Sequence, residues 1–481
     1  MNRRDFVKRT AAGLLASTAL VRPARARAAS QARPNILFIF IDDMGYADPS
    51  CFGNPKMKTP AIDRLAQEGM RLTNFYVNSP ICSPSRVAVM TGQYPARWKI
   101  HSYLAARRAN RQRHMPDWLD PRAPTTARIL KQAGYATAHF GKWHIGGGRD
   151  VGDAPLPQAY GFDESLVSFE GLGDRVLFSR KGLSGQSAAL GRGEIRFIPK
   201  HQSTEVYVDR TIAFMEKHRE TPFYIELFPN DVHDAHLPRP ETVERWKRVT
   251  DNPFEQKFFA VLDELDRQIG RVVDAVDELG LAERTLIVFT SDNGPTDWPS
   301  YYQQGHTPPG FTGPFYGRKW SLYEGGIRMP FIVRWKGTIP AGQTNATSIM
   351  CGIDLSPTFC HVAGVPVPSP VKHDGENMAD ALLGKPAQRA NAIFWQYGRP
   401  YTNLLPGNPE FISPSLAVRD GDWKLLIEPD GSNAQLYNLA NDPGEKTNLL
   451  TAHPDKAKDL WRKLRRWADS AGFETGPGDP I

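Results

Sequence analysis

The chain predicts an α/β fold: a large domain on a mostly parallel sheet between helices, then a smaller domain with an antiparallel sheet and a helix. Three observations carry this expectation. Continuous apolar runs of strand length alternate with segments of helical spacing, the pattern of βα units stacked on a parallel sheet. Four of those runs deliver ionisable residues just past their C-terminal ends, where open parallel sheets place their ligands. Near Leu383-Gly384-Lys385-Pro386 the composition changes, and shorter runs replace the long apolar ones.

Taken in order, the chain opens with Arg3-Arg4-Asp5-Phe6-Val7-Lys8, an apolar run over residues 11–21, and Ala26-Arg27-Ala28. This resembles a twin-arginine export signal over residues 1–28. The run is too short to span a bilayer, so it implies passage through the twin-arginine machinery, a periplasmic or secreted destination and no stable membrane insertion. Residues 35–41 form an apolar strand ending in Asp42-Asp43. Cys82-Ser83-Pro84-Ser85-Arg86, with Met90-Thr91-Gly92 beyond, predicts a short helix. Pro84 suits its first turn and Gly92 its end, so Cys82 should stand just ahead of it.

Helical spacing over residues 126–133 leads into a strand at 135–140, followed by Gly141-Lys142-Trp143-His144. A strand at 223–228 precedes Asp231-Val232-His233-Asp234-Ala235-His236. A helix over 258–279, closed by Gly280, precedes a strand at 285–290 and Ser291-Asp292-Asn293-Gly294. Past the compositional change, residues 393–397, 416–419, 423–427 and 435–439 read as short strands, the middle two joined around Asp420-Gly421. Residues 455–468 close the chain as an amphipathic helix with Leu460, Trp461, Leu464 and Trp467 on one face. The expected domains are 34–388 and 389–481.

The 481 residues carry a formal charge of +7. Residues 1–28 account for a net +6, which leaves about +1 and argues against a nucleic-acid function. Four cysteines, Cys51, Cys82, Cys351 and Cys360, are too few for a disulfide scaffold in a chain of this length. Cys351 and Cys360 are most simply read as buried packing.

The chemistry gathers on few residues. Asp42, Asp43, Asp292 and Asn293 offer only oxygen donors, which suit a hard cation, calcium or magnesium, rather than zinc. Cys82 at a helix N-terminus, with Arg86 about one turn on, points to a bound sulfate or phosphate oxyanion. Lys142 and His144 stand two apart and can bracket one oxyanion in an extended loop. Arg107, Arg108, Arg111 and Arg113, near Asp117, read as a solvated face or as guides for an anionic saccharide. Trp98, Trp118, Trp298 and Trp320 offer faces for sugar stacking, against burial as the ordinary fate of tryptophan.

Cys-x-Pro-Ser-Arg with a Thr-Gly downstream resembles the signature of type I sulfatases, and Gly-Lys-Trp-His-x-Gly resembles their second signature. The resemblance implies an alkaline-phosphatase-like fold. It also implies that a formylglycine-generating maturation enzyme converts Cys82 to formylglycine, whose hydrate is the nucleophile and forms a covalent sulfo-enzyme. The metal set becomes Asp42, Asp43, Asp292 and Asn293 with residue 82 as a further ligand, binding calcium. Lys142 binds sulfate and His144 takes a proton. His233 contacts sulfate and protonates the leaving alcohol, while His236 is a substrate contact. Lys319, ahead of Glu324-Gly325-Gly326, matches the family's second sulfate-binding lysine. Asp-Gly-Asp-Trp-Lys at 420–424 and Leu436-Tyr437-Asn438-Leu439 resemble the family's C-terminal domain.

The expected activity is hydrolysis of sulfate esters on a sulfated carbohydrate. The alternatives are a formylglycine-dependent phosphodiesterase or phosphonate monoester hydrolase, and a non-catalytic glycan-binding relative with an unconverted Cys82.

Overall fold

Alternation along a single strand divides the core in two. In β1 (Asn35–Ile41), Ile36, Phe38 and Phe40 enter one apolar cluster, while Leu37, Ile39 and Ile41 enter the other. Helices therefore cover both faces of the sheet, and every residue of β1 is buried. The computed structural model describes residues 33–398, 404–473 and 475–476, so the expected export signal lies outside the described residues.

The strands that follow are β2 (Met70–Tyr76), β3 (Ala136–Lys142), β4 (Glu164–Ser168), β5 (Arg175–Leu177), β6 (Ile195–Phe197), β7 (Phe223–Phe228), β8 (Thr285–Ser291), β9 (Arg328–Arg334) and β10 (Gln343–Asn345). They lie in the order β10-β2-β9-β8-β1-β7-β3-β4-β5-β6, and β11 (Met350–Cys351) pairs with the far end of β2. Within this sheet, among the described residues, β9 alone runs antiparallel to its neighbours. Both edges, β6 and β10, are three residues long.

Helices Pro60–Glu68 and Pro253–Glu278 pack together on one face. Cys82–Thr91, Thr126–Gln132 and Leu355–Val362 pack on the other. Helix Pro253–Glu278 begins five residues before its predicted start, because the Asn252 side chain accepts from Phe254 N (3.0 Å) and Pro253 occupies the first helical position. The helix at Cys82 also starts earlier than expected. Ile81 is its extended N-cap, and Cys82 is its first residue rather than the one before it.

The second sheet is antiparallel in chain order: β12 (Ile393–Gln396), β13 (Leu416–Asp420), β14 (Trp423–Ile427) and β15 (Gln435–Asn438). Helix Pro454–Ala471 buries Leu460, Trp461, Leu464 and Trp467 against it, with Trp467 stacked on Phe394 at 5.2 Å. Several contacts tie this sheet to the larger one, among them Arg419 of β13 donating to the Tyr76 hydroxyl of β2. Trp395 Nε1 donates to Val77 O (2.7 Å), just past β2. The buried Lys424 ammonium pairs with Glu324 Oε1 (3.0 Å) and Glu445 Oε1 (2.8 Å), and Glu445 Oε2 accepts from Glu324 N (2.6 Å). All four cysteines are free, and among the described residues no helix is long and apolar enough to cross a membrane.

Candidate active site

One edge of the large sheet collects the ionisable residues. Asp42 and Asp43 follow β1, Asp292 and Asn293 follow β8, Lys142 ends β3, and His233 lies in the loop after β7. Cys82 and Arg86 come from the helix after β2. Lys319 precedes β9, whose reversed direction brings its start to this edge. Gly141 is required where β3 meets β7, since a Cβ there would lie 1.9 Å from Phe228 O. Asp43 sits in the left-handed region (φ 63°), which aspartate tolerates better than most residues, and its N–H donates to Asp292 Oδ1 at 3.1 Å.

Lys142 Nζ bonds both oxygens of Asp42 (2.8 and 2.6 Å) and lies 3.3 Å from Cys82 Sγ. Cys82 Sγ is 3.7 Å from Asp42 Oδ1. Lys319 Nζ bonds both oxygens of Asp43 (2.5 and 2.7 Å), and Asn293 Nδ2 donates to Asp43 Oδ1 at 2.8 Å. Arg86 donates to Asp292 Oδ2 (2.8 Å) and to Lys142 O (2.9 Å), with Phe40 and Phe228 against its guanidinium at 5.7 and 5.6 Å. His233 Nε2 stands 3.6 Å from Asp43 Oδ2.

Three buried carboxylates thus face three buried cations, so the charges already balance without a metal. Burial alone would raise the pKa of Asp42, but Lys142, His233, Arg86 and Lys319 hold it well below the carboxylate range. Burial and Asp42 push Asp292 up to about 6. Burial pushes the Cys82 thiol up to about 12 despite Lys142 and Lys319, so an unmodified Cys82 is a poor nucleophile at neutral pH. Burial, with Lys142 and Arg86, holds His144 well below the usual histidine range. Burial lowers His233 to about 4, with Asp43 opposing.

The donor set fits a cation. Ligand atoms of Asp42, Asp43, Cys82 and His233 all lie within 4.8 Å of one another. Asn293 Oδ1 beside them is buried without a hydrogen-bond partner, an oxygen left over for a ligand. Asp292 is turned to Arg86 and the Asp43 amide instead. His144 sits one layer back: Nε2 faces Leu104 O at 3.3 Å, and Nδ1 is buried without a partner. His236 turns away, bonding Val232 O at 2.9 Å and lying 3.6 Å from Asp234.

Arg107 pairs with Asp117 at 2.7 Å, while Arg113 is buried and bonds Tyr103 O (2.7 Å). Trp320 is buried; Trp98, Trp118 and Trp298 are half-buried. Sequence reasoning missed Leu104 as a wall of the site and Lys200, which donates to Ala235 O at 2.8 Å and also to His233 O. Neither carries a local signal, since a backbone carbonyl and a lysine from distant segments become relevant only on folding.

Residues 34–365 match the Sulfatase family, and residues 313–469 match the family described as N-sulphoglucosamine sulphohydrolase, C-terminal. The chain is 30% identical to an N-acetylgalactosamine-6-O-sulfatase of Bacteroides thetaiotaomicron, covering 89% of this chain and 92% of that protein. It is 29% identical to human arylsulfatase A, covering 90% and 86%. Among solved structures, it resembles Ps i-CgsB in complex with k-i-k-neocarrahexaose, with a TM-score of 0.75, 25% identity, and coverage of 92% of this chain and 95% of that one. Together with the strand-end cluster, these matches mean that the chain belongs to the sulfatase family, with its alkaline-phosphatase-like fold, and is a sulfuric ester hydrolase.

Proposed function

We propose that this sulfatase removes sulfate from a carbohydrate through a formylglycine derived from Cys82 and a covalent sulfo-enzyme. The observation that carries the reading is the convergence of Asp42, Asp43, Cys82 and His233 ligand atoms within 4.8 Å, beside Lys142 and Lys319. A carbohydrate is favoured because one relative is named for N-acetylgalactosamine 6-O-sulfate and one structural neighbour holds a carrahexaose.

Asp42, Asp43, Asp292 and Asn293, with residue 82, would hold a calcium ion, which supplies Lewis-acid polarisation of the sulfuryl group. A divalent charge added to a balanced set of side chains leaves a net excess of about two positive charges, which favours an anionic ester over a neutral one. Lys142 and Lys319 then hold sulfuryl oxygens, and Arg86 orients residue 82. A hydroxyl of the residue-82 aldehyde hydrate, its proton released to solvent, forms a bond to sulfur as the S–O bond to the sugar breaks. The departing oxygen receives a proton from His233, whose charged form is favoured by the arriving anion. His144, kept neutral by burial, takes the proton that allows sulfate to leave and the aldehyde to reform. His236 is turned from the ionisable cluster but lines the cavity beside it, so its substrate contact falls outside the sulfuryl group.

The same reading assigns catalysis to residues 34–388 and the antiparallel-sheet domain to 389–481, with residues 1–28 as a twin-arginine signal, export to the periplasm or beyond, and a formylglycine-generating enzyme as partner. Two measurements test it. Peptide mass spectrometry of protein co-produced with a maturation enzyme should find an aldehyde at residue 82. Sulfate release should be seen on sulfated saccharides such as N-acetylgalactosamine 6-sulfate, and Cys82→Ala should lower it by about 10³-fold or more. Full turnover by Cys82→Ala overturns the reading.

A further inference from the structure

A cavity of about 370 Å³ opens beside the sulfuryl site, walled by Asp234, Leu237, Lys257, Trp298, Tyr301 and Gln304 among others. That volume is within the roughly 300–1,000 Å³ of small-molecule sites. Two of its walls adjoin the site itself. Asp234 directly follows His233, and Trp298 packs edge-on against Trp320, the neighbour of Lys319, at 4.6 Å. The cavity therefore flanks the side on which His233 stands.

Its chemistry is mixed in a particular way. Leu237 is 54% exposed, and with the half-buried Trp298 it offers an apolar face. Gln304 and Lys257 add donors. Asp234 is already engaged by the Tyr301 hydroxyl and lies near His236, so its charge is partly met. The Lys257 ammonium brings a positive charge to the wall.

We propose that this cavity is a sugar subsite, in which Trp298 stacks on the pyranose bearing the scissile sulfate and Lys257 binds a second anionic group on the adjoining sugar. A pyranose has an apolar face of C–H bonds and an equatorial belt of hydroxyls, which match an aromatic wall beside amide and ammonium donors. The substrate class is then an anionic oligosaccharide rather than a simple aryl or alkyl sulfate. The inference rests on the sulfatase reading above.

The test uses matured full-length protein and three probes: 4-nitrophenyl sulfate, galactose 6-sulfate, and the disaccharide in which a uronic acid is attached to that galactose. Wild type should prefer the disaccharide. Trp298→Ala should lower the ratio of kcat/KM for saccharides to that for the aryl sulfate by about tenfold or more, chiefly through KM. Lys257→Met should lower only the preference for disaccharide over monosaccharide. Lys257 is exposed, so that variant remains informative if Trp298→Ala fails to fold. Unchanged ratios in folded variants, or equal losses on all three probes, overturn the subsite. If matured wild type releases sulfate from neither 4-nitrophenyl sulfate nor galactose sulfated at the 2, 3, 4 or 6 position, the failure falls on the carbohydrate reading of the proposed function rather than on the subsite.

Discussion

Arg86 is fully buried and meets Asp292 at 2.8 Å between two phenylalanine rings. Removing its charge leaves a buried carboxylate with its principal cation gone. Arg86→Met should therefore lower stability by about 3–5 kcal/mol, read by denaturant unfolding of chelator-treated protein. Asn293 supplies the complementary test through its unpartnered Oδ1. Calcium added to chelator-treated protein should raise the melting temperature, and Asn293→Ala should weaken the titrated affinity by about 10–100-fold. At this scale the sequence was most readable where chemistry clusters locally, as in Asp42-Asp43 and Cys82 to Arg86. It was least readable where a group acts through one backbone atom. Leu104 enters the site by its carbonyl, which no side-chain pattern announces.

Among the elements, β1, β7 and β14 begin and end where the apolar runs do, because each is buried along nearly its whole length. Strand β9 was not legible as a strand. Its Pro330 lacks an N–H and argues against a ladder position, but β2 is irregular there: Leu72 pairs with Phe331 and Phe75 with Met329, so the pairing steps past the proline. Strands β5 and β6 are too short for any alternation to show. The turn after β8 is packed backbone to backbone, and a Cβ on Gly294 would come 2.1 Å from Gly325 O. Gly294→Ala should cost about 1–3 kcal/mol or more by overpacking, seen as a lower unfolding midpoint. In the terminal helix, fully buried Leu464→Ala should cost about 2–5 kcal/mol by the same measurement.

Across the whole molecule, the two sheets meet on a buried triad with two carboxylates and one ammonium. Burial would raise Glu324, but Lys424 holds it below the usual range; burial and Glu324 push Glu445 up to about 7. A carboxyl raised in the folded chain binds its proton more tightly there than when unfolded. Its contribution is complete below the ordinary glutamate value and declines as pH rises towards about 7. Glu445→Gln should flatten the stability profile between about pH 5 and 7, measured by denaturant titrations across that range. A profile that stays equally steep assigns the slope to other groups.

The ten-strand array ends on β6 and β10, three residues apiece. So brief a border presents few open amide and carbonyl groups for a stranger's chain to zip onto. A sheet this broad thus leaves little backbone at its margins open to edge-to-edge pairing.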